Sequence, residues 1–259
     1  MILGFLGTGA ITRTIVTGLC SDGLAVETIL VSPRNAETAS HLAARFDPVS
    51  VAASNQHLVD RADTVVIAVR PQIAEGVLSE LKFRPDQHIV SVVSGYPVRK
   101  LEGLVAPATR IARAVPLPSA ALRRSPTAIY PADAAATAMF ARMGTVLEVA
   151  NEPEFDVVCT ATATMATYFA IAETIASWLT RHGIPAGKAR DYVAHLYAGM
   201  SDTTLSEPGR SLRELVADHA TRGGTNEQVL KHLTDHHVFD VYSDALDAIL
   251  VRVTAASRA

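Results

Sequence analysis

Along the first half of the chain, short unbroken apolar runs alternate with longer stretches whose apolar positions recur at helical spacing. Residues 2–6 form the first run, and Ile11, Ile15, Val16 and Leu19 mark the helix that follows it. Strands are predicted again over 26–31, 49–52, 63–69, 88–93, 110–115 and 145–149. Helices are predicted over 35–46 and 55–61, and another from Pro71, a residue suited to a first helical turn. The run through Val65, Val66, Ile67, Ala68 and Val69 lacks any polar alternation, as expected of a strand covered on both faces of a parallel sheet. This order predicts a doubly wound α/β domain over residues 1–150.

Beyond about residue 150 the pattern becomes helical throughout. Helices are predicted over 157–182, 186–205, 226–233 and 238–254, with breaks at Gly183-Ile184-Pro185 and Pro208-Gly209. The stretch 157–182 contains Tyr168 and Phe169 and almost no charge before Glu173, so it cannot remain in water. Its threonines are frequent, which favours the core of a homodimer or larger homo-oligomer over a membrane span. Residues 151–259 are therefore expected to be an all-α dimerisation and substrate domain.

Composition narrows the setting. The 259 residues are 49% hydrophobic and 19% charged, ample for a sizeable core. A formal charge of −3 offers no general attraction to nucleic acid or to an anionic membrane. Cys20 and Cys159 form no motif and are expected to be buried reduced thiols. The first residues lack the basic flank of a signal peptide, so a cytoplasmic protein is expected.

The first turn carries chemistry. Gly7-Thr8-Gly9-Ala10-Ile11-Thr12 lies between a predicted strand and a predicted helix, the context of a Rossmann dinucleotide site. Gly7 permits a tight turn, Gly9 admits a pyrophosphate, and the new helix offers free N–H groups and the positive end of its dipole. The second predicted strand ends in Ser32-Pro33-Arg34-Asn35, where an NAD site would place an acid for the ribose 2′-OH. A hydroxyl, a guanidinium and an amide suit a 2′-phosphate, so NADPH is expected to bind and NADH more weakly. Ser32 and Asn35 can serve equally as helix caps.

Other constellations carry less. Thr221-Arg222-Gly223-Gly224-Thr225-Asn226 looks like a helix start whose amides could hold an anion, or simply a capped N-terminus. His232, His236 and His237 lack a convincing acid or thiol ligand, so no metal is expected. Arg123-Arg124 reads as a solvated loop, and Glu173 as either a functional acid or one satisfied at an interface.

Taken in order, these motifs resemble the pyrroline-5-carboxylate reductase family over nearly the whole chain. The resemblance rests on Gly7-Thr8-Gly9-Ala10-Ile11, Asn55, Ala68-Val69-Arg70-Pro71-Gln72, Ser91-Val92-Val93-Ser94-Gly95, Arg113-Ala114-Val115-Pro116-Leu117-Pro118 and the segment 221–226. It implies an NADPH-dependent oxidoreductase acting on a C=N bond, reducing pyrroline-5-carboxylate or a related cyclic imine, with a place in proline biosynthesis. It further implies that Asn55, Ala68, Val69, Arg70 and Pro71 join Gly7, Gly9, Ala10, Ile11, Ser32 and Arg34 around the cofactor. Gly223, Gly224, Thr164 and Met165 would contact substrate, while Thr221, Thr225 and Asn226 would act in catalysis.

The departures fall in the substrate segments. Leu117 stands where the family has Asn, Asn226 where it has the Thr that bonds the imine nitrogen, and Arg222 where it has Pro. The family's Gly-Ser-Gly-Pro-Ala-Tyr segment becomes Ala163-Thr164-Met165-Ala166-Thr167, with Tyr168 one place later. A non-catalytic NADPH-binding protein is thus an alternative reading. A hydroxyacid-type dehydrogenase is disfavoured, because 157–182 contains no lysine and Lys188 follows a helix break.

Overall fold

A computed structural model describes residues 1–21, 23 and 28–258. The chain divides into two compact units, Met1–Thr160 with Leu250–Ala259, and Ala161–Ile249.

The first unit is built on one eight-stranded sheet. Its strands are β1 (Ile2–Leu6), β2 (Thr28–Val31), β3 (Val49–Val51), β4 (Thr64–Ile67), β5 (His88–Ser91), β6 (Arg110–Val115), β7 (Ser125–Tyr130) and β8 (Gly144–Glu148). They lie side by side in the order β3-β2-β1-β4-β5-β6-β7-β8. All neighbours pair parallel except β6 and β7, which are antiparallel. The sheet carries α1 (Ala10–Cys20), α2 (Ala36–Arg45), α3 (Asn55–Arg61), α4 (Pro71–Leu78), α5 (Val98–Val105), α6 (Ala134–Ala141) and α7 (Glu152–Ala161).

The continuous apolar strands serve both faces, because successive side chains point to opposite sides. Leu3, Phe5, Ile29, Val31, Val66, Val90 and Ala112 pack on one side against Ile15, Val16 and Leu19 of α1, Leu42 of α2 and Phe140 of α6. Leu6, Leu30, Val65, Ile67, Ile89 and Ile111 pack on the other against Leu58, Leu78, Leu101 and Val105 of α3, α4 and α5. This double covering is the doubly wound arrangement expected.

Of the strand predicted over 26–31, Val26 and Glu27 lie outside the described residues. β7 was not predicted: it carries Pro126, which cannot donate to a ladder, and mixes Ser, Thr and Ala with Ile and Tyr. The apolar stretch from 157 to 182 is not one helix. A 3-10 turn at Thr162–Thr164 separates α7 from α8 (Met165–Arg181).

The second unit is helical. After α8 come α9 (Ala186–Ser206), α10 (Leu212–His219), α11 (Thr225–Asp235) and α12 (Val238–Arg258), the last running past the unit's end at Ile249. α10 was missed, although Ser211 and Glu214 form a capping box with reciprocal side-chain to backbone bonds. Not one residue of α8 is buried in the protomer, and Phe169 is 68% and Trp178 51% exposed.

Candidate active site

The cofactor candidates collect at the carboxyl ends of neighbouring strands. The order β3-β2-β1-β4 places the turn after β1 beside the ends of β2 and β4. Strand order reverses there, which is where open α/β sheets bind ligands. Gly7 has φ +97°, a conformation side chains rarely adopt. A Cβ on it would also meet the Ala68 carbonyl oxygen at 2.6 Å, so the glycine keeps the crest between β1 and β4 open. Thr12 occupies the third position of the glycine pattern, usually Gly or Ala, and its buried hydroxyl donates to Gly7 O at 2.6 Å, locking the turn. Gly9 is the N-cap of α1 and supplies no capping side chain, and Ala10 and Ile11 open the helix. The first amides of α1 are therefore free to bind an anion.

The end of β2 is wired to this turn. Thr8 Oγ1 donates to Ser32 O at 2.5 Å, and Asn35 Nδ2 donates to Thr8 O at 3.1 Å. Asn35 Oδ1 caps α2 by accepting from Thr38 N at 3.4 Å. Ser32 is 1% exposed, and its hydroxyl donates to Asn55 Oδ1 at 2.7 Å. Asn55 thereby fixes the floor beneath Ser32. Of the trio Ser32, Arg34 and Asn35, two are committed to holding the loop together, and Arg34 is exposed. On the β4 side Ala68 and Val69 are half-buried, Arg70 is the N-cap of α4 and Pro71 its first residue. The Tyr96 hydroxyl donates to Pro71 O at 3.2 Å.

In the helical unit, Gly224 is the N-cap of α11 and Thr225 and Asn226 are its first two residues, both exposed like Thr221. Neither Thr225 nor Asn226 is the cap that sequence reasoning allowed. Gly223 has φ +76°. Its N–H donates to Glu227 Oε2 at 2.7 Å, and Gly224 N–H donates to Thr221 O at 2.8 Å. Two of the four amides expected to grip an anion are thus engaged within the turn. Thr164 ends the 3-10 turn with its hydroxyl donating to Ala161 O at 2.8 Å, and Met165 begins α8. Thr164 also lines an apolar cleft of about 290 Å³ with Val238, Val241, Tyr242 and Leu246.

Other singled-out residues have plainer roles. Glu173 accepts from Ser177 Oγ at 2.6 Å on the surface of α8. The rings of His232 and His236 stack at 4.2 Å. Among the described residues no group of three His, Cys, Asp or Glu is placed to hold a metal ion. Cys20 and Cys159 form no disulfide and are half-buried, not buried as expected; desolvation pushes the Cys159 thiol up to about 12, so it stays protonated.

Residues 2–95 match the family described as NADP oxidoreductase coenzyme F420-dependent. Residues 152–255 match the family of pyrroline-5-carboxylate reductase dimerisation. Over 263 aligned positions the chain is 26% identical to the pyrroline-5-carboxylate reductase of Pseudomonas aeruginosa, covering 95% of this chain and 93% of that one. The reductase of Streptococcus pyogenes has a similar structure, with a TM-score of 0.86 at 22% identity over 100% of this chain and 99% of that one. The Plasmodium falciparum pyrroline carboxylate reductase with NADP bound gives 0.84 at 18% identity, covering 99% and 98%. The chain is thus similar to pyrroline-5-carboxylate reductases over nearly its whole length, and residues 152–255 match their dimerisation domain.

The first match is to a family of NADP oxidoreductases, which supports a nicotinamide dinucleotide as cofactor, and the second to a dimerisation domain, which supports homo-oligomerisation. The segment Glu152–Arg181 is long and apolar enough to cross a membrane by length and composition alone. It also opens the match to the reductase dimerisation domain, which accounts for an apolar helix left exposed in one protomer.

Proposed function

We propose that this chain is an NADPH-dependent reductase of a cyclic imine, pyrroline-5-carboxylate or a related ring, acting as a homodimer in the cytoplasm. The observation that carries the reading is the uncapped start of α1 behind Gly7, with exposed Arg34 in the loop after β2 that Ser32 and Asn35 bond to the same turn. Residues 1–150 would serve as the NADP-binding domain and 151–259 as the helical dimerisation and substrate domain.

In this reading Gly7, Gly9, Ala10 and Ile11 present backbone to the pyrophosphate, and Arg34 pairs with the 2′-phosphate. Ser32 and Asn55 support that loop, while Ala68, Val69, Arg70 and Pro71 flank the nicotinamide. When bound, NADPH supplies a hydride to the imine carbon, and the C=N electron pair passes to a nitrogen that arrives protonated. The protein then needs orientation and exclusion of water more than a strong acid. Gly223, Gly224, Thr164 and Met165 contact the ring. Thr221 and Thr225 offer hydroxyls, and Asn226 orients the nitrogen.

The deciding assay is NADPH oxidation against a panel of cyclic imines, with and without a carboxylate. Turnover of a ring with release of the cyclic amine is expected. Tight NADPH binding without turnover of any imine would favour a non-catalytic NADPH-binding role, a reading to which the altered residues Asn226 and Leu117 lend support. Sedimentation at micromolar concentration is expected to give a dimer or larger assembly, and a monomer would contradict that part.

A further inference from the structure

The turn before α11 contains its own carboxylate. Glu227 is the third residue of α11, and its Oε2 accepts the Gly223 N–H at 2.7 Å. The next amide, that of Gly224, is closed onto Thr221 O at 2.8 Å. Gly224 also lies close against Thr221, since a Cβ on it would meet that same oxygen at 2.8 Å. The positive end of a helix stabilises one anion well, and here the chain's own acid stands at that end.

We infer that Glu227 is a specificity-determining residue, and that this chain reduces cyclic imines without a carboxylate beside the ring nitrogen in preference to pyrroline-5-carboxylate. The inference rests on the reading of residues 221–226 as the substrate grip. A substrate carboxylate entering the turn would meet a like charge and compete with it for the Gly223 amide, and like-charge juxtaposition is strongly unfavourable. A protonated ring nitrogen without a carboxylate meets an opposite charge instead. Thr221 can still donate or accept without favouring an anion. The other charge in the turn is Arg222, which is exposed and is the competing candidate for holding a substrate carboxylate.

The test measures kcat/KM with NADPH for pyrroline-5-carboxylate and for the same ring lacking the carboxylate, in the full chain and in Glu227→Gln and Arg222→Ala. Glutamine retains an oxygen for the Gly223 N–H while removing the charge, and a ratio of two substrates is insensitive to the fraction of enzyme folded. The parent is expected to prefer the ring without a carboxylate by about tenfold or more, and Glu227→Gln to shift that ratio toward pyrroline-5-carboxylate by about tenfold. A parent that prefers pyrroline-5-carboxylate, or a ratio untouched by Glu227→Gln, overturns the inference. So does a selective loss of pyrroline-5-carboxylate turnover in Arg222→Ala, which would make Arg222 the carboxylate holder. If no imine at all consumes NADPH, the reductase reading itself fails, a result distinct from a wrong ratio between working substrates.

Discussion

Arg113 Nη1 on β6 lies 2.8 Å from Glu152 Oε1 at the start of α7, with only 2% of the arginine side chain exposed. The same Glu152 oxygen accepts Val98 N–H at 2.7 Å, so one carboxylate ties together β6, α5 and α7. Arg113 also lies over the Phe155 ring at 4.4 Å and 3.8 Å from Asp156 Oδ1. Through this cluster α7 is fastened to the sheet and belongs to the first compact unit. Replacing Arg113 by Met keeps volume but strands two acids. The expected loss is about 2–4 kcal/mol in urea unfolding, toward the lower end for a broken buried pair because Glu152 stays partly wet. A loss below about 1 kcal/mol would show that the cluster does not hold α7.

The sheet was legible because its strands are apolar on both faces, and the glycine turn because Gly7 and Gly9 are local to one loop. What escaped the sequence depends on partners distant along the chain. Arg113 read as one residue of a motif, and nothing in its spacing to Glu152 announces a buried ion pair. Asn35 looked like a ligand or a cap, and the fold makes it a cap that also holds Thr8 O. The amides of residues 223–226 looked equally available, yet Glu227 takes the first of them. β7 was hidden by Pro126, and α10 by its length of only eight residues, despite the capping box at Ser211 and Glu214.

For the cofactor, Arg34 is the one member of the β2-end trio not committed to the loop's own hydrogen bonds. Arg34→Ala is expected to weaken NADPH binding by about 1.5–3 kcal/mol and leave NADH nearly unchanged, measured by calorimetric or fluorescence titration. Equal losses for both nucleotides would remove the 2′-phosphate from Arg34.

For the substrate grip, Asn226 is exposed at the second position of α11 and caps nothing. Asn226→Ala is expected to lower kcat/KM by about 10- to 100-fold, about 1.4–2.7 kcal/mol of transition-state stabilisation. Thermal stability should hardly change, because no cap is lost. Full activity on every imine the parent accepts would remove Asn226 from the site.

Stability should also carry a mark of His88. Burial holds this imidazole below its ordinary value, outweighing the pull of Asp133, whose Oδ1 lies 3.2 Å from Nε2. As pH falls through about 6.5 the unfolded chain takes up a proton that the folded chain refuses. The stability contributed by the neutral ring is complete above that pH and drains away below it, toward the folded value. His88→Gln is expected to flatten the fall in unfolding free energy between about pH 7 and 5 relative to the parent. An identical pH slope in the two proteins would show that His88 does not titrate in that range.

The central claim is hydride transfer to a C=N carbon, and isotope transfer tests it most directly. The full chain would be incubated with NADPH deuterated at C4 of the dihydronicotinamide, once per face, and with the best imine from the panel. The account predicts a single deuterium at the former imine carbon of the cyclic amine, from one face of the nicotinamide only. NADPH bound but never oxidised by any imine, or product formed without deuterium from either labelled face, would contradict it.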